Sequence, residues 1–362
     1  GFTINDSAGT DSATINGAIS TGAGAIAITS ETITTSASLS GTDITLTTDS
    51  LSLGANVSGS GNLTLSPLTD NASIGIGGGA GAFNFDDAEL AFLQDGFAGI
   101  TIGDSTNGSG AVDIDSSTFD DPITIVGGTI SVTELNAGVN AVTLTARTGA
   151  ITDGGDSGTD ITGGAVTLQT LDATTGDIGA GGDAISLSAN ALVTYGAASG
   201  DGQFLSEADS LTWNTSTVGS GTVTLTGGRF NVGSSQTITG DVQVNSGATL
   251  GGTGTIAGAV TAANNSNVSP GTSPGALSTG NLNLQSGATL DIEIEGTGGA
   301  GAANGHDQVN VTGTVTLAGD LQLSGAFTPA PNASFLIINN DSADAASGAF
   351  KGLSASAFVR FN

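Results

Sequence analysis

The sequence predicts an all-β chain wound as a right-handed parallel β-helix, a β-solenoid of about 19 residues per rung with short helical or loop excursions. The first sign is an apolar couplet that returns at a nearly fixed interval: Ile26-Ala27-Ile28, Ile44-Thr45-Leu46 and Leu63-Thr64-Leu65 follow one another at steps of 18 and 19 residues. The pulse resumes at Ile123-Thr124-Ile125 and Val142-Thr143-Leu144, and again at Val223-Thr224-Leu225, Val242-Gln243-Val244 and Val260. The second sign is the alternation of apolar residues with small or polar ones, mostly Thr, Ser or Ala, the two-residue rhythm of a strand with one buried face. The third is composition: 60 Gly, no Cys, no Met and only 10% charged residues suit tight corners joined by thin hydroxyl-rich strands.

A unit this short cannot bury its own apolar face, so successive units must stack and share a core. Between Ile44 and Leu63 lie further apolar positions at Leu51, Leu53 and Val57, so one rung holds roughly three short strands separated by Gly, Asn, Asp and Ser corners. The expected core ladder includes Ile28, Leu46, Leu65, Ile125, Leu144, Leu168, Leu187, Leu225 and Val244. Residues 1–362 read as one continuous solenoid of about 15–18 rungs, with sub-regions 1–244 and 245–362. Residues 83–99 break the texture, with three Phe within 83–93 and a helical spacing behind an Asn or Asp cap, which predicts a short helical turn. A weaker echo runs from Phe204 to Leu211. Both segments are expected to cover a flank of the coil, the alternative being a partner platform built on Phe92, Phe97 and Trp213.

Charge excludes whole classes of partner. Asp and Glu outnumber Lys and Arg by 33 to 4, and the cations are Arg147, Arg229, Lys351 and Arg360. Nucleic acid needs several cations on one surface, so it is excluded, and an anionic bilayer would be repelled. No apolar run is long enough to span a membrane. The absence of Met and of a signal peptide reads as a piece of a longer product, and the acidic, Lys-poor surface predicts an extracellular location.

From about Asn245 the texture becomes Gly247-Ala248-Thr249-Leu250-Gly251-Gly252-Thr253-Gly254-Thr255-Ile256, followed by Ser269-Pro270-Gly271-Thr272-Ser273-Pro274-Gly275, Leu282-Asn283-Leu284 and Gly287-Ala288-Thr289-Leu290. This resembles the β-strand repeat of autotransporter passengers and other large bacterial surface proteins. The runs His306–Val311, Phe335–Asn340 and Phe350–Leu353 continue it. Residues 83–190, with Asp87-Ala88-Glu89-Leu90, more loosely resemble the long repeats of filamentous-haemagglutinin-like proteins. Both resemblances imply a secreted β-helical body used for surface display, adhesion or matrix, and such chains usually run on to an anchoring segment beyond a point such as Asn362.

Candidate sites are few. Calcium takes six to eight hard oxygens, and two acidic groups are placed to supply some: Asp153 with Asp156 and Asp160, and Asp291 with Glu293 and Glu295. In the second group the acids alternate with Ile292 and Ile294, so all three carboxylates leave one strand face. His306 is the only histidine and sits in a turn, with no nucleophile elbow near it, and one His without Cys does not make a usual zinc site. A polysaccharide lyase or hydrolase is the enzyme alternative, for which Arg147 near Asp153 and Asp156 would be the lyase cation. The apolar stretches holding Phe2 and Ile4 at one end, and Phe358 and Phe361 at the other, predict end-to-end pairing with another copy or with the rest of a longer chain, while the net charge of −29 opposes side-by-side association, which divalent cations would promote. The expected function is therefore a non-enzymatic stalk or fibre subunit, its partners being further copies or a host or matrix polysaccharide.

Overall fold

The structure, a computed structural model, describes residues 1–6, 11–172, 174–196, 202–218, 221–341 and 344–354; Phe358 and Phe361 lie outside the described residues. Its contacts form two compact units, Gly1–Ala189 with Gly196–Ala198, and Asn190–Tyr195 with Ser199–Asn362. The change of texture at 245 falls inside the second unit.

The first unit is a parallel β-solenoid. Its longest inward row passes from Ile4 to Ile28, Leu46, Leu65, Ile102, Ile125, Leu144 and Leu168, each paired with the next in parallel register. From Ile28 onward every side chain in the row is fully buried. The alternation expected from the couplets is what places them there: one residue along, Thr45, Thr64, Thr101, Thr124, Thr143 and Thr167 form a half-buried row on the outside. A second face stacks Ile74, Val112, Ile130 and Ile151, and beside it Ile76, Ile114, Val132 and Asp153. A third carries Ile19, Leu39 and Val57, and further along Ser117 pairs Leu135 and Leu135 pairs Ile161.

The second unit repeats the plan. Val223, Val242, Val260, Leu282 and Val315 form one row, and Leu211, Phe230, Leu250, Val268, Leu290 and Leu321 another. The third face runs from Ser216 through Ile238, Ile256, Thr279 and Val311 to Asn340. The buried residues named from sequence, Ile28 through Val244, are all at most 1% exposed.

Rung length departs from a constant 19. Ile26 pairs Ile44 and Ile44 pairs Leu63, but Leu63 pairs Ile100, 37 residues on, and Leu282 pairs Val315, 33 residues on. In the first case the extra chain holds the expected excursion. Phe83 and Phe85 enter the core as an edge-on pair with ring centroids 4.8 Å apart. A single helical turn, Asp87–Leu90, follows, capped by Asp86, whose Oδ1 accepts from Glu89 N at 2.9 Å. Glu89 reaches back to Asp86 N and also accepts from Leu53 N at 3.0 Å, pinning the excursion to the rung beneath. Phe97 returns over Gly59, where a Cβ would collide with its ring.

The Phe204–Leu211 echo is not an excursion of the same kind. It belongs to one long strand, Gln203–Thr217, paired in parallel with Thr222–Val232 and interrupted by register shifts between Leu205 and Ser210. The irregular stretch between Ser206 and Ser210 mimics helical spacing in sequence while the backbone remains extended.

Replacing Leu144 by Ala should lower stability by about 2–5 kcal/mol through the cavity left in the ladder, whereas Thr143→Ala, one residue along and facing outward, should change it by no more than about 0.5 kcal/mol. Chemical unfolding followed by circular dichroism distinguishes the two; equal effects would contradict the inward assignment.

Candidate functional site

In the first unit, strand Ile151–Asp153 ends at a glycine-rich corner that leads to strand Ile161–Thr170. The corner has the sequence Gly154-Gly155-Asp156-Ser157-Gly158-Thr159-Asp160. Gly155 takes φ +91°, a conformation that disfavours a side chain, and its N–H donates to Asp153 Oδ1 at 2.7 Å. Gly158 N–H donates to Asp156 Oδ1 at 3.2 Å. These bonds fold the corner back on itself, so that oxygens of Asp153, Asp156 and Asp160 all lie within 4.8 Å of one another; among the described residues this is the one such acidic group.

Position in the solenoid explains why these acids are unusual. Asp153 occupies the row that holds fully buried Ile76, Ile114 and Val132 in the preceding rungs. Asp160 precedes Ile161 and is itself 0% exposed; its Oδ2 accepts from Ser186 N–H at 2.6 Å, while Oδ1 is buried without a hydrogen-bond partner. Burial pushes the Asp160 carboxyl up to about 7, against the Ser186 N–H, with the charges of Asp153, Asp156 and Asp183 adding to the rise. Burial likewise raises Asp153, and the adjoining Asp183 carboxyl reinforces it. Spacing along the chain pointed to the first three residues; Asp183 comes from the next corner and was missed.

The second acidic group has a different environment. Asp291 and Glu293 leave the outward face of strand Thr289–Glu293, as the alternation with Ile292 and Ile294 predicts. They line an open groove of about 430 Å³ with Arg229, Asn231, Ser273 and Asp307. Arg229 is held by its neighbours: Nε donates to Asn231 Oδ1 at 2.7 Å, and one terminal nitrogen donates to the carbonyls of Gly271 at 2.7 Å and Ser269 at 3.1 Å. Asp307 is 3% exposed and accepts from Gly275 N–H at 2.6 Å and Glu293 N–H at 2.8 Å. Burial raises the Asp307 carboxyl, and the Arg229 charge opposes that rise. Glu295 is directed elsewhere, accepting from Ala326 N–H. Sequence reading found the acids but not their cation, because Arg229 lies on a different rung.

Other expected residues occupy structural positions. Arg147 donates to the carbonyls of Ser105 and Thr106, bracing a loop. Trp213 is 0% exposed and packs edge-on to Phe230, and Phe97 is 4% exposed, so neither contributes to a surface platform; Phe92 is half-buried. Burial of Trp213 and Phe97 removes both from the alternative platform, of which Phe92 alone stays partly exposed. Phe2 and Ile4 are half-buried in a strand paired with Ile26–Thr29. His306 is buried rather than displayed in a turn, with Nε2 3.2 Å from the Leu336 carbonyl oxygen and its ring edge-on to Phe335.

The stacked parallel faces make each unit a parallel β-solenoid, a class that includes both structural surface proteins and polysaccharide-acting enzymes. No protein-family model matches the chain, and no curated protein matches it significantly. Among the described residues no helix is long and apolar enough to cross a membrane.

The raised carboxyl of Asp160 has a measurable consequence. Its folded-state value of about 7 lies above the unfolded value of 3.8, so its contribution to stability is complete below the unfolded value and is lost as pH rises through about 7. In metal-free buffer the stability of the native protein relative to Asp160→Asn should therefore fall between about pH 5 and about pH 8. Thermal melts of the two proteins across that range test this, and a constant difference would refute the burial-driven shift.

Proposed function

We propose that the chain is a non-enzymatic structural element of the bacterial cell surface or extracellular matrix, a solenoid stalk or fibre subunit carrying adhesive contacts. The observation that supports this most directly is the outward row Thr45, Thr64, Thr101, Thr124, Thr143 and Thr167, held in register by parallel pairing. Short hydroxyl side chains on a hydrogen-bonded sheet have little rotamer freedom left to lose, which suits repeated weak contacts with matrix or host polysaccharide or with another copy. Stacking also lets such a body lengthen rung by rung without a larger core. A net charge of −29 keeps it dispersed and fits an extracellular setting.

A polysaccharide lyase or hydrolase is the second reading, favoured by one feature: the groove where Arg229 faces Asp291, Glu293 and Asp307. A cation beside several carboxylates is the minimum for acid–base chemistry on an acidic sugar. Against it, none of the residues lining that groove is aromatic, so it offers no ring for sugar stacking.

Incubation with a panel of acidic and neutral polysaccharides should produce neither new reducing ends nor unsaturated products, while pull-down on the insoluble polymers should retain the protein. Cleavage that disappears in Asp307→Asn would replace the structural reading with the enzymatic one.

A further inference from the structure

We propose that Asp153, Asp156 and Asp160 form a calcium site on the first unit, with Asp183 beside it. The inference stands apart from the stalk reading, since either could fail alone.

Three carboxylates in proximity do not by themselves make a site, because acidic corners are common on so anionic a surface. The distinguishing feature is Asp160. It is 0% exposed, one of its oxygens is engaged by the Ser186 N–H, and the other is buried without a hydrogen-bond partner. A carboxylate oxygen removed from water and left unpaired is costly, and the usual remedies are a proton or a cation. Among the described residues no salt bridge reaches it, and the charged groups acting on it are carboxylates, Asp153, Asp156 and Asp183. The contrast with the second unit is direct, since there the buried Asp307 has Arg229.

Donor type and spacing select the ion. The donors are all oxygens, without His or Cys, which suits a hard cation and disfavours zinc. Oxygens within 4.8 Å of one another are close enough to share one ion; calcium accepts an irregular oxygen shell, whereas magnesium demands near-ideal octahedral placement and gives up its water reluctantly. The intervening Gly154, Gly155 and Gly158 let the corner adjust around an ion that tolerates irregular geometry. Three acidic residues provide part of the shell and water completes it, with Asp183 alongside against Asp153. Bound there, the ion would tie the Asp153 strand end to the start of the next strand at Asp160, where like charges otherwise repel.

The test is calorimetric titration of the whole chain with Ca²⁺ at physiological ionic strength, after removal of metal with a chelator. Wild type should show a saturable site that weakens at least tenfold in Asp160→Asn and in Asp156→Asn. Asp344→Asn, which removes the same charge from an exposed position in the other unit, should stay within twofold of wild type. Asp156 is exposed, so its variant remains informative if Asp160→Asn fails to fold. Calcium should also raise the melting temperature of wild type more than that of Asp156→Asn. Loss of no more affinity in Asp156→Asn than in Asp344→Asn, absence of saturable binding, or an equal or tighter response to Mg²⁺ would overturn the assignment.

Discussion

Parallel pairing between successive rungs is the constraint on which this protein depends. Each strand is too short to be stable alone, and its backbone groups are satisfied only by the rungs on either side. Pairing also makes side chains repeat: once Ile28 faces inward, its partners Leu46, Leu65 and those beyond must do so too, or the row leaves a cavity or a buried polar group. The core is thus a set of columns, and a residue's environment is set chiefly by the occupants of the same column.

That logic makes exceptions conspicuous. Asp153 continues a column of Ile76, Ile114 and Val132, and Asp160 sits fully buried immediately before Ile161. The two acidic groups of the chain therefore differ in kind. Asp291 and Glu293 leave an outward face and share a groove with a guanidinium, whereas the corner in the first unit combines burial with carboxylates alone. Electrostatic strain is concentrated where apolar stacking gives way to a turn.

Much of the fold was legible because two periods coincide in the sequence, two residues within a strand and about 19 between rungs. The couplets at Ile26, Ile44 and Leu63 carry both signals. The helical turn was legible from the Asp86 cap and the spacing to Leu90. Legibility failed where tertiary context overrode local pattern. Phe204 to Leu211 has acids and apolar residues at helical intervals, yet a neighbouring strand holds it extended through an irregular stretch. Trp213 belonged to the alternative partner platform, but it stands in a column with Val232 and Gly252 and its indole is buried against Phe230. Of the acidic corner, the three residues on one loop were visible and Asp183 was not, since it arrives only when the chain has gone round once more. Arg229 and Asp307 meet across several rungs, a relation that no local motif carries.

The unequal rungs have a consequence for how such a chain can change. The step from Leu63 to its partner Ile100 is 37 residues, and from Ile123 to Val142 only 19, yet both pairs stand in the same column. The columns count strands and are indifferent to the length of chain between them. An insertion at a corner, even a long one, leaves every later side chain on its original face, whereas a single residue added inside a strand would turn the remainder of that strand inside out. Variation in this molecule is therefore channelled to the corners, which is where new loops, ions or partners can be acquired while the stacked interior passes unchanged from one variant to the next.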